Sequence, residues 1–100
     1  MRTLAPSLVL LALAAAPAAA EEWSRARIDA LPDAAFAVVE IAPDGKKLRH
    51  LPHHDESGAV DLAHLRAARQ RLSQVKWLDP ASAAAAGRHL EEHERRLGLR

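Results

Sequence analysis

Cysteine is absent from this 100-residue chain, which excludes disulfide cross-links, thiol nucleophiles and cysteine-ligated zinc. Tyrosine is absent too, and the aromatic complement is Trp23, Phe36 and Trp77. The four glycines stand apart from one another, so no glycine-rich loop is available to cradle phosphate. None of Ser57, Ser73 and Ser82 sits in a Gly-x-Ser-x-Gly elbow, which sets aside a serine hydrolase. A glycosidase needs a groove that holds both its carboxylate pair and its sugar, and a chain this short leaves little room for one. A surplus of basic residues is lacking as well: 14 Lys and Arg face 13 Asp and Glu, far from the footprint of a nucleic-acid binder. The expectation is a protein that is not an enzyme and does not bind nucleic acid.

Long apolar runs are also missing, with one short exception at the start. Leu8 to Ala16 is apolar, lies between Pro6 and Pro17, and falls well below the roughly twenty residues that a membrane-spanning helix needs. Arg2 precedes it, and Ala18-Ala19-Ala20 follows with the small-x-small pattern of a cleavage site before Glu21-Glu22. Residues 1–20 therefore read as a secretory signal peptide cut after Ala20, which makes the protein periplasmic or secreted. No cysteine offers a lipid attachment point, so no stable membrane anchor is expected after cleavage. Removing residues 1–20 removes Arg2 alone among the charges and leaves 13 basic against 13 acidic side chains.

The remaining eighty residues make one domain at most. A domain of that size buries only about 60% of the surface its unfolded chain exposes, so its margin of stability is thin. Without disulfides it must stand on its core, a partner or a metal.

Residues 21–32 form a lead-in with Trp23, Ile28 and Leu31 among charges, ended by Pro32. A small α+β domain over 33–98 follows. Phe36 to Ile41 reads as a strand, Pro43-Asp44-Gly45 as its turn, and Lys47 to Leu51 as the returning strand of a hairpin stopped by Pro52. His53 to Gly58 is a polar loop. Asp61 is an N-cap for a helix from Leu62 to about Trp77, on which Leu65, Ala68, Leu72 and Val75 share one face. Asp79-Pro80 opens a second helix that runs to about Leu97 and ends at Gly98. Its buried stripe is Ala83, Ala86, Leu90, His93 and Leu97. Gly87, inside it, marks either a close helix crossing or a tolerated weakness. The two helices should pack antiparallel, with Leu65, Leu72, Leu90 and Leu97 covering the apolar face of the β-hairpin.

Four strings occur in order along the chain: Leu31-Pro32-Asp33-Ala34-Ala35-Phe36-Ala37, Arg49 to Asp55 (RHLPHHD), Leu65 to Gln74 (LRAARQRLSQ), and Arg88 to His93 (RHLEEH). Together they resemble a small uncharacterised domain of bacterial and phage-associated proteins, some of them related to phage heads and capsids. The resemblance spans residues 31–98 and implies a compact domain with no catalytic residues to carry over. A signal peptide departs from that pattern, because phage assembly is cytoplasmic work.

Histidine is the one residue in excess: His50, His53, His54, His64, His89 and His93. His89 and His93 are four apart on a helix and project from one side, as two ligands of one ion would. His53, His54 and Asp55 offer further nitrogen and oxygen donors from the loop. A closed tetrahedral site would take His89 and His93 with two of His50, His53, His54 or Asp55. Neutral imidazole suits zinc, copper or nickel, and such an ion would also stabilise a small cysteine-free fold. Leu90 stands where a zinc protease of the His-Glu-x-x-His type carries its glutamate. The competing reading makes the histidines structural. His93 would then be a core residue satisfied by a carbonyl or carboxylate, and Asp55 would hold its loop by accepting local backbone N–H bonds.

Arg66, Arg69, Arg71 and Lys76, with Trp77 nearby, read either as a contact for an acidic surface or as a solvated face balanced by Glu91, Glu92 and Glu94. The leading expectation is an exported non-enzymatic domain, without cofactor, that serves protein interaction or accessory structure for an unknown protein partner. The alternative is a periplasmic transition-metal-binding protein built on the histidine clusters. A third idea uses the histidines as a pH sensor.

Overall fold

A computed structural model describes residues 22–100; the signal peptide read at residues 1–20 lies outside the described residues. The chain begins with a short helix, α1 (Arg25–Ala30), whose N-cap Ser24 accepts a hydrogen bond from Arg27 N at 3.1 Å. Pro32 follows closely, and a 3₁₀ turn (Asp33–Ala35) delivers the chain into β1 (Phe36–Ile41). Its partner β2 (Lys47–Pro52) returns antiparallel, with Val38 opposite His50 and Glu40 opposite Leu48. At the turn, Gly45 adopts φ +87° and Asp44 Oδ1 accepts from Lys46 N at 2.9 Å, so the Pro-Asp-Gly signal acts as its chemistry requires.

Two helices complete the α+β fold: α2 (Leu62–Arg71) and α3 (Pro80–Arg96). Asp61 and Asp79 cap them by accepting from His64 N at 3.0 Å and Ala81 N at 2.9 Å. At the far end of α3, Gly98 takes φ +74° and Leu99 N closes on Glu94 O at 2.8 Å. Arg69 pairs with Glu94, whereas Leu72, just past the end of α2, lies against Gly87, earlier in α3. The two helices therefore run in opposite senses. A Cβ on Gly87 would meet Leu72 at 3.6 Å, an ordinary contact, so this glycine does not mark a forced close crossing.

Two apolar clusters pack against the hairpin, most of whose residues are half-buried. Leu51, Leu65, Ala68, Ala86 and Leu90 form the larger cluster, with Val38, Val60, Leu72, Val75 and Trp77 packed around it. Trp23, Leu31, Ala35 and Phe36 form the smaller one. The lead-in is thus part of the packed structure, because it supplies Trp23 and Leu31. Arg49 fastens it there: its guanidinium lies 4.3 Å from the Phe36 ring and donates to the Leu31, Ile28 and Asp29 carbonyls at 2.6, 3.1 and 3.1 Å. These carbonyls lie at the C-terminal end of α1, where Ile28 O also accepts from Leu31 N at 3.1 Å.

Two details differ from the expected helices. The first helix does not reach Trp77; after Arg71 the chain tightens into a 3₁₀ turn (Leu72–Gln74) and becomes extended at Val75. The reason is long-range. Glu40 is a buried carboxylate that accepts from Leu78 N at 3.1 Å and Asp79 N at 3.0 Å, and a helix continued through Trp77 would carry those donors elsewhere. Leu97, expected over the hairpin, is 50% exposed because α3 ends at Arg96, and the stripe it would extend ends with it. Among the described residues, no helix is long and apolar enough to cross a membrane.

Candidate metal centre

Six histidines divide into one group of four and two separate residues. His50 hydrogen-bonds Glu40 through Nε2 at 2.9 Å and meets Trp77 edge-on. His64 stacks on Trp23 at 3.5 Å between ring centroids and bonds the carboxylate of Asp61 through Nδ1. Both are engaged by these partners, and neither belongs to the cluster of four.

His53, His54, His89 and His93 converge, with one ligand atom of each inside a 4.8 Å span. Two come from the end of β2 and two from successive turns of α3. The local cause is an unusual backbone. Leu51 has φ +63°, a left-handed conformation that a branched side chain rarely adopts. It drops the Leu51 side chain into the larger cluster and turns the chain, so that His53 follows it into the interior, fully buried. The same turn aims the Leu51 carbonyl at His53 Nδ1, 2.9 Å away. His54 is fixed in parallel: its Nδ1 lies 3.0 Å from the Gly58 carbonyl. A carbonyl only accepts, so both Nδ1 atoms carry hydrogen and both Nε2 atoms point into the cluster with a lone pair.

There the four Nε2 atoms form a chain of contacts. His53 to His89 is 3.0 Å, His89 to His93 is 3.1 Å, and His93 to His54 is 3.2 Å. A neutral set cannot satisfy all three. The end members, His53 and His54, are acceptors, so His89 and His93 must each donate outward. Their own contact then sets N–H against N–H. Protonating His53 would relieve the conflict by letting its Nε2 donate to His89, but burial opposes a cation there. Burial pushes the His53 imidazole down to about 4, and its histidine neighbours push the same way against the Leu51 carbonyl. Burial, with His54 next, lowers His89; burial, with His89 and His54 next, lowers His93. These shifts favour, in His53, His89 and His93, the neutral form that binds metal.

A metal ion removes the conflict by accepting all four lone pairs. Zn–N bonds of about 2.0–2.1 Å set ligand nitrogens about 3.3 Å apart in a tetrahedron. The three contacts along the chain lie just inside that figure, whereas the set as a whole spans up to 4.8 Å, so the outer pairs would draw together around an ion. Carbonyl partners on the remote nitrogens of His53 and His54 are the outer-shell support that metal-bound histidines ordinarily have. An all-imidazole set favours zinc, copper or nickel over calcium or magnesium, which prefer oxygen.

Asp55 does not join them. Its Oδ1 accepts from Ser57 N, Ser57 Oγ and Ala59 N at 2.8, 2.6 and 3.2 Å, which closes the 55–59 turn. Those bonds, the Ser57 hydroxyl foremost, hold its carboxyl below the usual range. Sequence reasoning missed the Leu51 and Gly58 carbonyls and the buried Glu40; no local signal marks a leucine as left-handed or a strand glutamate as a distant helix's acceptor. In comparisons with protein families, curated proteins and solved structures, nothing matches this chain.

Proposed function

We propose that this chain is an exported, non-enzymatic metal-binding protein that holds one zinc, copper or nickel ion between His53, His54, His89 and His93. The observation that carries the reading is the hydrogen-bond deadlock. Four Nε2 atoms meet at 3.0–3.2 Å with both end members fixed as acceptors, an arrangement a central cation satisfies and a neutral cluster does not. The ion would join the end of β2 to α3 and so favour the folded chain. Binding of this kind adds about 2.7 kcal/mol when free metal stands at a hundred times its dissociation constant.

The test is elemental mass spectrometry on tag-free protein from the exported fraction, with thermal melts before and after chelation and after adding back each metal. One ion per chain and a melt that drops on chelation are expected. His89→Gln and His93→Gln should lose the ion, while Asp55→Asn should keep it, since Asp55 serves its own turn. A protein that takes up none of the three metals, with a melt indifferent to chelator, would sink the reading and leave a structural histidine cluster in an interaction or accessory domain.

A further inference from the structure

The four histidines are not held alike. His53 is fully buried, its N–H donates to the Ala35 carbonyl at 2.9 Å, and its own carbonyl accepts from Asp61 N at 2.8 Å. His89 and His93 ride on a seventeen-residue helix whose neighbouring residues Ala86 and Leu90 are wholly buried. His54 stands at the neck of the 55–59 turn. Its N–H reaches the Ala35 carbonyl, already engaged by His53, at the longer distance of 3.3 Å, and its ladder contact is a single bridge to Val60. Its ring is steadied by the carbonyl of Gly58, a residue on the exposed tip with φ +89°. The tip is closed by bonds within itself through Asp55, and its outer tie to α1 is the pair of bonds from Arg27 Nε and Nη2 to Glu56 at 2.6 and 2.9 Å, which holds Glu56 rather than His54.

Beside His54 lies a cavity of about 190 Å³ lined by Pro32, Ala34, Ala35, His54, Asp55 and Gly58, apolar along most of its wall. A cavity of about 150 Å³ admits benzene, and an imidazole ring is smaller. This pocket, which opens to solvent, therefore has volume enough for the His54 ring once its bond to the Gly58 carbonyl is released.

We propose that His54 is the exchange ligand of this site: it swings into the adjoining cavity and yields its coordination position to a donor from an acceptor protein, through which the metal is passed on. This rests on the metal-binding reading above. The step is a ligand substitution. The metal–Nε2 bond of His54 breaks as a bond from the incoming nitrogen or sulfur donor forms, His54 leaves neutral, and the metal keeps its oxidation state. His53, His89 and His93 hold the ion meanwhile, the three-ligand arrangement with one open position that reactive zinc sites use. The protein would then be a carrier that hands metal over, and the acceptor would present a ligand at the mouth beside Gly58.

The experiment loads the full chain with zinc and follows its transfer to a chromogenic pyridylazo chelator by stopped flow. Expected is a transfer rate proportional to chelator concentration, because the incoming donor takes part. His54→Gln should still hold one zinc yet release it about tenfold faster, as weakened ligation mostly raises dissociation rates. Ala34→Leu, which replaces no ligand, should narrow the cavity and slow transfer severalfold with zinc affinity unchanged. A rate independent of chelator concentration would overturn the proposal, as would a loss of zinc from His54→Gln as complete as that from His89→Gln. Unaltered transfer in Ala34→Leu would overturn the swing. If wild-type chain takes up no zinc, copper or nickel at all, the metal-binding reading itself fails.

Discussion

Acid should unfold the metal-free protein sooner than an ordinary small domain, and His53 sets the scale. Its imidazole ionises in the unfolded chain near 6.5 and in the folded protein near 4, with burial as the main cause. Above pH 6.5 the ring is neutral in both states and the fold keeps its full stability. Between 6.5 and 4 the unfolded chain takes up a proton that the folded chain refuses, so stability falls with falling pH; below 4 this group adds no further loss. At about 1.36 kcal/mol per decade, the whole fall is about 3 kcal/mol, of which about 2 kcal/mol is spent by pH 5. His89 and His93 are shifted the same way and add to it. The lowered carboxylates, Glu40, Asp55 and Glu94 among them, act later, since their losses begin only near their ordinary values of 3.8 to 4.5. The interval from pH 7 to 5 therefore belongs to the histidines. The assay is urea unfolding at half-unit steps across that interval in the presence of chelator, wild type against His53→Leu. Wild type should lose about 2 kcal/mol or more, a large part of a small domain's 5–15 kcal/mol, and the variant should show a clearly shallower slope. Equal slopes would refute the argument, because the titrating group would lie elsewhere.

Two further outcomes follow from the fold. Glu40→Ala should cost about 2–4 kcal/mol in chemical denaturation, since Leu78 N and Asp79 N lose a buried acceptor, while Glu40→Gln, which keeps one carbonyl oxygen, should cost less. Gly87→Ala should raise stability by about 0.5–1 kcal/mol in the same assay, because the new methyl meets Leu72 at an ordinary 3.6 Å and helical glycine is about 1 kcal/mol worse than alanine; a loss would mean that the helices need the glycine to approach.

Local chemistry made much of this fold readable. Pro43-Asp44-Gly45, Asp79-Pro80 and Gly98 each carry their signal within a few residues, and the hairpin, the start of α3 and its end fall where those signals put them. The pairing of His89 with His93 is legible for the same reason, since a four-residue spacing on a helix settles it. What distance decides was not legible. Periodicity extends α2 to Trp77, and it is Glu40, thirty-eight residues before Leu78, that stops it. Likewise His53-His54-Asp55 offers three neighbouring donors without saying which are used. The register of β2 and the turn at Leu51 direct the two imidazoles to α3, while the 55–59 turn engages the carboxylate.

Two costs meet at adjoining positions, and their coincidence favours the ligand reading over the structural one. A leucine in the left-handed region carries on the order of 1–3 kcal/mol of backbone strain. A cluster of imidazoles with one contact between like groups carries a further penalty in a site where burial drives protons off. If His53 only filled space, a leucine there, on an unstrained strand end, would pack the same interior with neither cost. Instead the strain at Leu51 provides the carbonyl that fixes which nitrogen of His53 faces inward, and that nitrogen creates the deadlock. Local rules are broken at functional sites more readily than in plain cores. In a fold of two small clusters and no disulfide, an ion bound by all four rings would turn the second cost into a gain and offset the first.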